Sequence, residues 1–137
     1  MIQRIQSVWL LLASVCIFLT IKYPYYSGMD SKGISNQMLN AANGGFLITV
    51  TTVIVGLLAF INIFLFKIRI LQLRLCVIAI LLEALLIFLY YLQVRTYTTG
   101  TYSLTAILHG AAVFFIFLAA LAINKDEKLI KNSDRLR

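Results

Sequence analysis

Cys76-Val-Ile-Ala-Ile-Leu-Leu-Glu83-Ala-Leu-Leu-Ile-Phe-Leu-Tyr-Tyr91 is an apolar run with one ionisable side chain near its middle. Extended to Leu75 and Leu92, it nears the roughly 20 residues that a helix needs to cross about 30 Å of hydrocarbon. The segment before it, Lys67-Ile-Arg69-Ile-Leu-Gln-Leu-Arg74, is too basic to be carried into lipid. A spanning helix that starts at a cationic hinge is the economical reading. It leaves one question open, which is what a carboxyl group does at the depth of Glu83.

Composition supports the membrane reading. The 137 residues are 61% hydrophobic and 12% charged, with a mean hydropathy of +0.93. Soluble domains run at roughly 45–50% apolar and about 25% charged. A net charge of +7 would suit nucleic acid if it were clustered on a soluble domain. Here the cations flank apolar runs, which points to topology and to contact with anionic headgroups, and not to nucleic acid. The two cysteines, Cys16 and Cys76, lie in apolar segments without metal-ligand spacing. They read as small packing residues.

Three more spans follow from the same criteria. The first covers about residues 5–23, read as an uncleaved helix that ends in the aromatic, proline-stopped Tyr23-Pro24-Tyr25-Tyr26. The second and third cover about 46–66 and 75–92, and the fourth 104–123. Residues 24–45, rich in Gly, Ser and Asn, are expected to form a periplasmic loop with a short surface helix around Asn36–Asn43. Residues 96–103 read as a polar turn. The mixed-charge tail at 124–137 continues the fourth helix into the cytoplasm, with Glu127 and Lys131 one turn apart.

Four spans put both termini on one side. Nine basic residues share that side: Arg4, Lys67, Arg69, Arg74, Lys125, Lys128, Lys131, Arg135 and Arg137. Lys22, Lys32 and Arg95 fall on the other, so the positive-inside rule makes the first side cytoplasmic. All seven tyrosines fall on the outer half and Trp9 near the inner one.

Small and polar residues mark helix–helix faces in lipid, because apolar surface gives helices no reason to associate there. Such residues recur at spacings of three, four or their sum of seven: Gly45, Thr49, Thr52, Gly56, Ala59 and Asn62 in the second span; Cys76, Ala79, Glu83 and Tyr90 in the third; Thr105, His109, Ala112 and Ala119-Ala120 in the fourth; and Ser7 and Ser14, seven apart, in the first. The expected fold is therefore an all-α integral membrane protein, an antiparallel four-helix bundle with the polar stripes inward.

Glu83 is the sharpest chemical signal. A charge at mid-bilayer costs about 2.5–3.5 kcal/mol on insertion scales, so such a residue has a reason to be there. One reading is a buried contact with a neighbouring helix; the other is proton or substrate handling. The contact is preferred, as it is for His109, the only histidine. The two could meet directly or through a water, and as a relay they would lack acidic groups leading to either surface. Gly56 is expected to let a neighbouring backbone approach the Glu83 side chain, with Ser14 at similar depth. Asn62, one turn from the cytoplasmic interface, reads as a cap or as snorkelling toward lipid. Lys67, Arg69, Arg74, Lys125 and Lys128 form a basic cytoplasmic face. The chain has no Walker A, H-E-x-x-H or G-x-S-x-G motif and no histidine pair for haem, so no cofactor, metal or catalytic residue is expected.

The opening Met1-Ile-Gln-Arg-Ile-Gln-Ser-Val-Trp-Leu-Leu-Leu-Ala13, the hinge Leu71-Gln-Leu-Arg-Leu-Cys76 and the ending Ala122-Ile-Asn-Lys-Asp-Glu-Lys-Leu-Ile-Lys-Asn-Ser-Asp-Arg-Leu-Arg137 resemble a family of small four-span inner-membrane proteins of Bacteroidetes-type bacteria, described only as a domain of unknown function. The resemblance runs essentially the full length. It implies an inner-membrane location and four helices, and no activity. The expectation that follows is a non-enzymatic accessory or assembly subunit of a larger membrane complex, or a homo-oligomer. The alternative is a small transporter or an ion- or proton-conducting oligomer using Glu83 and His109.

Overall fold

The computed structural model describes residues 3–30, 33 and 37–135. Four helices dominate: α1 Gln3–Lys22, α2 Phe46–Phe64, α3 Arg69–Val94 and α4 Ile107–Arg135, the last preceded by one 3-10 turn at Leu104–Ala106. Each is long and apolar enough to cross a membrane, and no more than 33% of any of the four apolar windows is buried within the protein. The remaining surface is mostly Leu, Ile, Phe and Val, for which hydrocarbon is the favourable neighbour. α1 packs on α2 and α4, and α3 also packs on α2 and α4.

The buried positions explain that packing. Besides Ser14 and Gly56, they are Gln6, Leu10, Ala13, Ile17 and Thr20 in α1; Ile48, Thr52, Val55, Ala59 and Asn62 in α2; Gln72, Cys76, Ala79, Glu83, Leu86 and Tyr90 in α3; and His109, Ala112, Ile116, Ala119, Ile123 and Asp126 in α4. Every series steps alternately by three and four. A 3.5-residue repeat keeps one seam of each helix facing its neighbours. Alanines at Ala13, Ala59, Ala79, Ala112 and Ala119 lie along that seam, all 3% exposed or less. They let the helices approach closely where lipid supplies no hydrophobic drive.

The all-α expectation needs one correction. At the tyrosine-rich end the chain forms a three-stranded antiparallel sheet of β1 Tyr26–Asp30, β2 Gln37–Leu39 and β3 Tyr97–Tyr102, in the order β2-β1-β3. The register pairs Tyr26 with Leu39 on one side and with Tyr102 on the other. β3 is the segment read as a turn, although its β-branched and aromatic side chains suit a strand. The short helix expected at Asn36–Asn43 is replaced by β2 and a turn, Asn36 itself lying outside the described residues. In that turn the Asn43 amide donates to the Asn40 side-chain oxygen at 2.9 Å, a local bond that competes with helix. Gly28 faces Gly100 across the ladder, where a Cβ on Gly28 would collide with the Thr99 carbonyl and one on Gly100 would come within 2.6 Å of the Ser27 carbonyl.

Because β1 follows α1 and β3 follows α3, the sheet fixes the C-terminal ends of both helices at the same end of the molecule. Beneath it lies a small core of Tyr26, Leu39, Ala41, Ile48, Leu86 and Tyr90. Two helices also outrun their apolar spans, α3 at its start and α4 at its end. α3 begins at Arg69, ahead of Leu75, and its 26 residues cover about 39 Å.

Candidate functional site

Glu83 and His109 meet. α3 brings the first to 0% exposure and α4 the second to 2%, and His109 Nδ1 lies 2.6 Å from Glu83 Oε1. That separation holds one proton between ring nitrogen and carboxyl oxygen. The glutamate side chain spans the offset between the two backbone depths, so no bridging water is needed.

A tyrosine cap closes over the pair. The Tyr90 and His109 rings lie 5.0 Å apart, centroid to centroid. Tyr25 stacks on Tyr90 at 4.5 Å and meets His109 edge-on at 5.6 Å. Tyr102 of β3 contacts both Tyr25 and Tyr26. Aromatic faces and edges at these distances exclude water while tolerating a polar ring below them. Among the described residues, Glu83 Oε2 and His109 Nε2 have no hydrogen-bond partner. The chamber therefore has one made polar contact and two unused polar atoms on the same pair, the second being the uncommon feature in a native core.

Outside the span, Tyr25 carries a perturbed hydroxyl. Burial pushes its pKa above the ordinary tyrosine value, and the nearby Tyr102 adds to that shift.

The other expected residues lie elsewhere. Ser14 is buried, and its hydroxyl donates to the Gly56 carbonyl at 3.3 Å, joining α1 to α2 rather than completing the Glu83 site. Gly56 admits the Phe18 ring of α1, which a Cβ there would meet at 2.9 Å. It does not make room for a backbone beside Glu83. Asn62 is 1% exposed, so neither a surface cap nor snorkelling describes it. Its amide donates to the Gln72 carbonyl at 3.2 Å and to Cys76 Sγ at 3.1 Å, while the Gln72 amide donates back to the Asn62 carbonyl at 3.1 Å. This reciprocal clasp pins the end of α2 to the start of α3.

At the same end Gln6 of α1 donates to Asp126 of α4, both buried. Arg69 is half-buried, its guanidinium donating to the Asp126 carbonyl at 3.3 Å. Lys67, Arg74, Lys125 and Lys128 are exposed. Gln72, Gln6 and Asp126 escaped the sequence reading. Gln72 and Asp126 continue their helices' three-four series one step beyond the apolar span, and Gln6 opens that of α1 just inside it, so following those series to their ends would have found them.

No group of three or more His, Cys, Asp or Glu side chains able to hold a metal occurs among the described residues. The chamber offers one acid, one imidazole and phenols. That set can hold or pass a proton and supplies no paired nucleophile and base open to substrate.

The chain belongs to the family described as Domain of unknown function (DUF4293), whose model matches residues 2–136. No curated protein and no solved structure matches it.

Proposed function

We propose that this member of the DUF4293 family is a non-enzymatic inner-membrane protein that serves as an accessory or assembly subunit of a larger membrane complex. In this reading it is an antiparallel four-helix bundle with both termini cytoplasmic. The observation that carries it is how the intramembrane polar side chains are used. Glu83 bonds His109, Asn62 and Gln72 clasp each other's backbones, and Ser14 bonds Gly56. They join neighbouring helices to one another, and the outward faces are left apolar. Such a molecule is built to be held in shape and presented to lipid or to other membrane helices. The charge asymmetry between its ends supports the orientation.

Purification in mild detergent followed by native mass spectrometry tests the proposal. A defined stoichiometric partner is the expected result. Recovery only as a lone monomer across several lipid conditions would overturn it.

A second reading is favoured by one specific observation, the unused Glu83 Oε2 and His109 Nε2 atoms beside the made bond. Here the pair handles protons in a small conducting oligomer. Proteoliposome flux that does not change on Glu83→Gln would remove that reading.

A further inference from the structure

At the basic end a cleft of about 610 Å³ opens between the α2–α3 hinge and the last turns of α4. Lys67, Arg69 and Glu127 supply its polar lining, and Phe66, Ile68 and Ile130 its apolar walls. The walls are strongly exposed, at 45%, 55% and 46% respectively. Within such a small area, cations and large exposed apolar side chains together fit an amphiphile better than a soluble ion.

The cleft's position supports the same conclusion. Its hinge residues lie where the second apolar helix has ended and the third begins, and Ile130 is the last residue of the fourth apolar segment. In a bilayer this is headgroup level, where basic side chains reach phosphates while their stems and neighbours touch acyl chains. Glu127 is engaged in an interaction of its own, and the Arg69 guanidinium, with one N–H on Asp126, keeps further donors in a planar fork. Lys67 is exposed beside it.

We propose that this cleft binds the phosphodiester headgroup of an acidic phospholipid, held by Lys67 and Arg69, with its chains against Phe66, Ile68 and Ile130. The site rests on the bilayer reading of the four helices, and it does not require a partner protein.

The test uses the full-length protein, stripped of lipid in detergent and offered an equal mixture of phosphatidylglycerol and phosphatidylcholine, with bound lipid read by native mass spectrometry. One phosphatidylglycerol retained in preference to phosphatidylcholine is expected. Lys67→Gln should weaken retention roughly five-fold, the size of one juxtamembrane cation's contribution, and Lys67→Arg should restore it. Ile68→Ser should also weaken retention, whereas the double change Lys125→Gln with Lys128→Gln, which alters charge outside the cleft, should leave it unchanged. Unchanged circular dichroism of each variant keeps loss of fold apart from loss of binding.

Equal retention of the two lipids, an equal effect of the Lys125 and Lys128 changes, or displacement by excess inorganic phosphate would overturn the proposal. Lipid preference on a monomer without partner would instead remove the subunit reading and leave this site standing.

Discussion

His109 Nδ1 and Glu83 Oε1 lie 2.6 Å apart with both side chains shielded from solvent, so α4 and α3 are joined by a bond that neither helix can replace from water. A double-mutant cycle built from Glu83→Gln, His109→Gln and their combination, read as unfolding in mixed micelles, should return a coupling of about 0.6–1.7 kcal/mol, the range of intramembrane hydrogen bonds. A coupling near zero would mean that the contact does not hold the helices together. In that event the proton-handling reading gains.

The Asn62–Gln72 clasp predicts an asymmetry. Truncating only Gln72 to Ala takes one of two donors from the Asn62 carbonyl, which keeps the Leu65 amide, and should cost about 0.5–1.5 kcal/mol. Replacing both residues by Leu removes the need for partners and should recover part of that loss. The same micelle unfolding series measures both, and a Gln72→Ala variant as stable as the parent would count against the clasp.

Gly28→Ala and Gly100→Ala should each disrupt the sheet, because the added methyl group would meet backbone atoms that cannot move aside alone. Hydrogen exchange should rise across residues 26–30 and 97–102, while the helices keep their protection. Gly110, where a Cβ meets nothing within 4 Å, provides the control.

Tyr25 predicts an alkaline limit. Its hydroxyl is raised first by burial and then by Tyr102, so the folded state favours the protonated phenol. Its contribution is fully present below the ordinary tyrosine value of about 10 and is lost as pH rises through the higher folded value. Near-ultraviolet circular dichroism should therefore show the tyrosine cap loosening in that range, and Tyr25→Phe should remove this part of the pH dependence. A variant with the same alkaline transition would assign it to another group.

Orientation can be checked with single cysteines after Cys16 and Cys76 are replaced. Thr99→Cys in β3 should react with a membrane-impermeant maleimide from the periplasmic side, and Lys128→Cys only after the membrane is opened. The reverse pattern would invert the topology proposed from the charges.

The helical half of this structure was legible because two physical signals coincide in it. Lipid demands an apolar outer face, and close helix contact demands small or polar residues at a 3.5-residue repeat, so Ala79, Glu83, Ala112 and His109 stand out in otherwise uniform runs. The reading stopped short where hydropathy was used to end a helix. Gln72 and Asp126 lie past the apolar spans but still on the buried seam, and Asn62, although placed on that seam, was given a role by its nearness to an interface. The sheet was less legible for another reason. Tyr26-Ser-Gly-Met-Asp30 has little strand preference of its own and becomes a strand because Tyr97–Tyr102, far away in sequence, is delivered beside it. The direct Glu83–His109 bond needed side-chain reach, which backbone depth alone does not give.

That delivery has a consequence for biosynthesis. β1 leaves the translocation machinery with the first helix, whereas β3 exists on the same side only after the second and third helices have entered and turned back. An early copy of the chain therefore carries β1 without its main partner, and the Tyr26–Tyr102 pairing closes only if every intervening crossing has the right direction. The closed sheet is thus a mark that α2 and α3 have both crossed. A chain with either of those two helices left out would place β1 and β3 on opposite sides of the bilayer, and the sheet could not close.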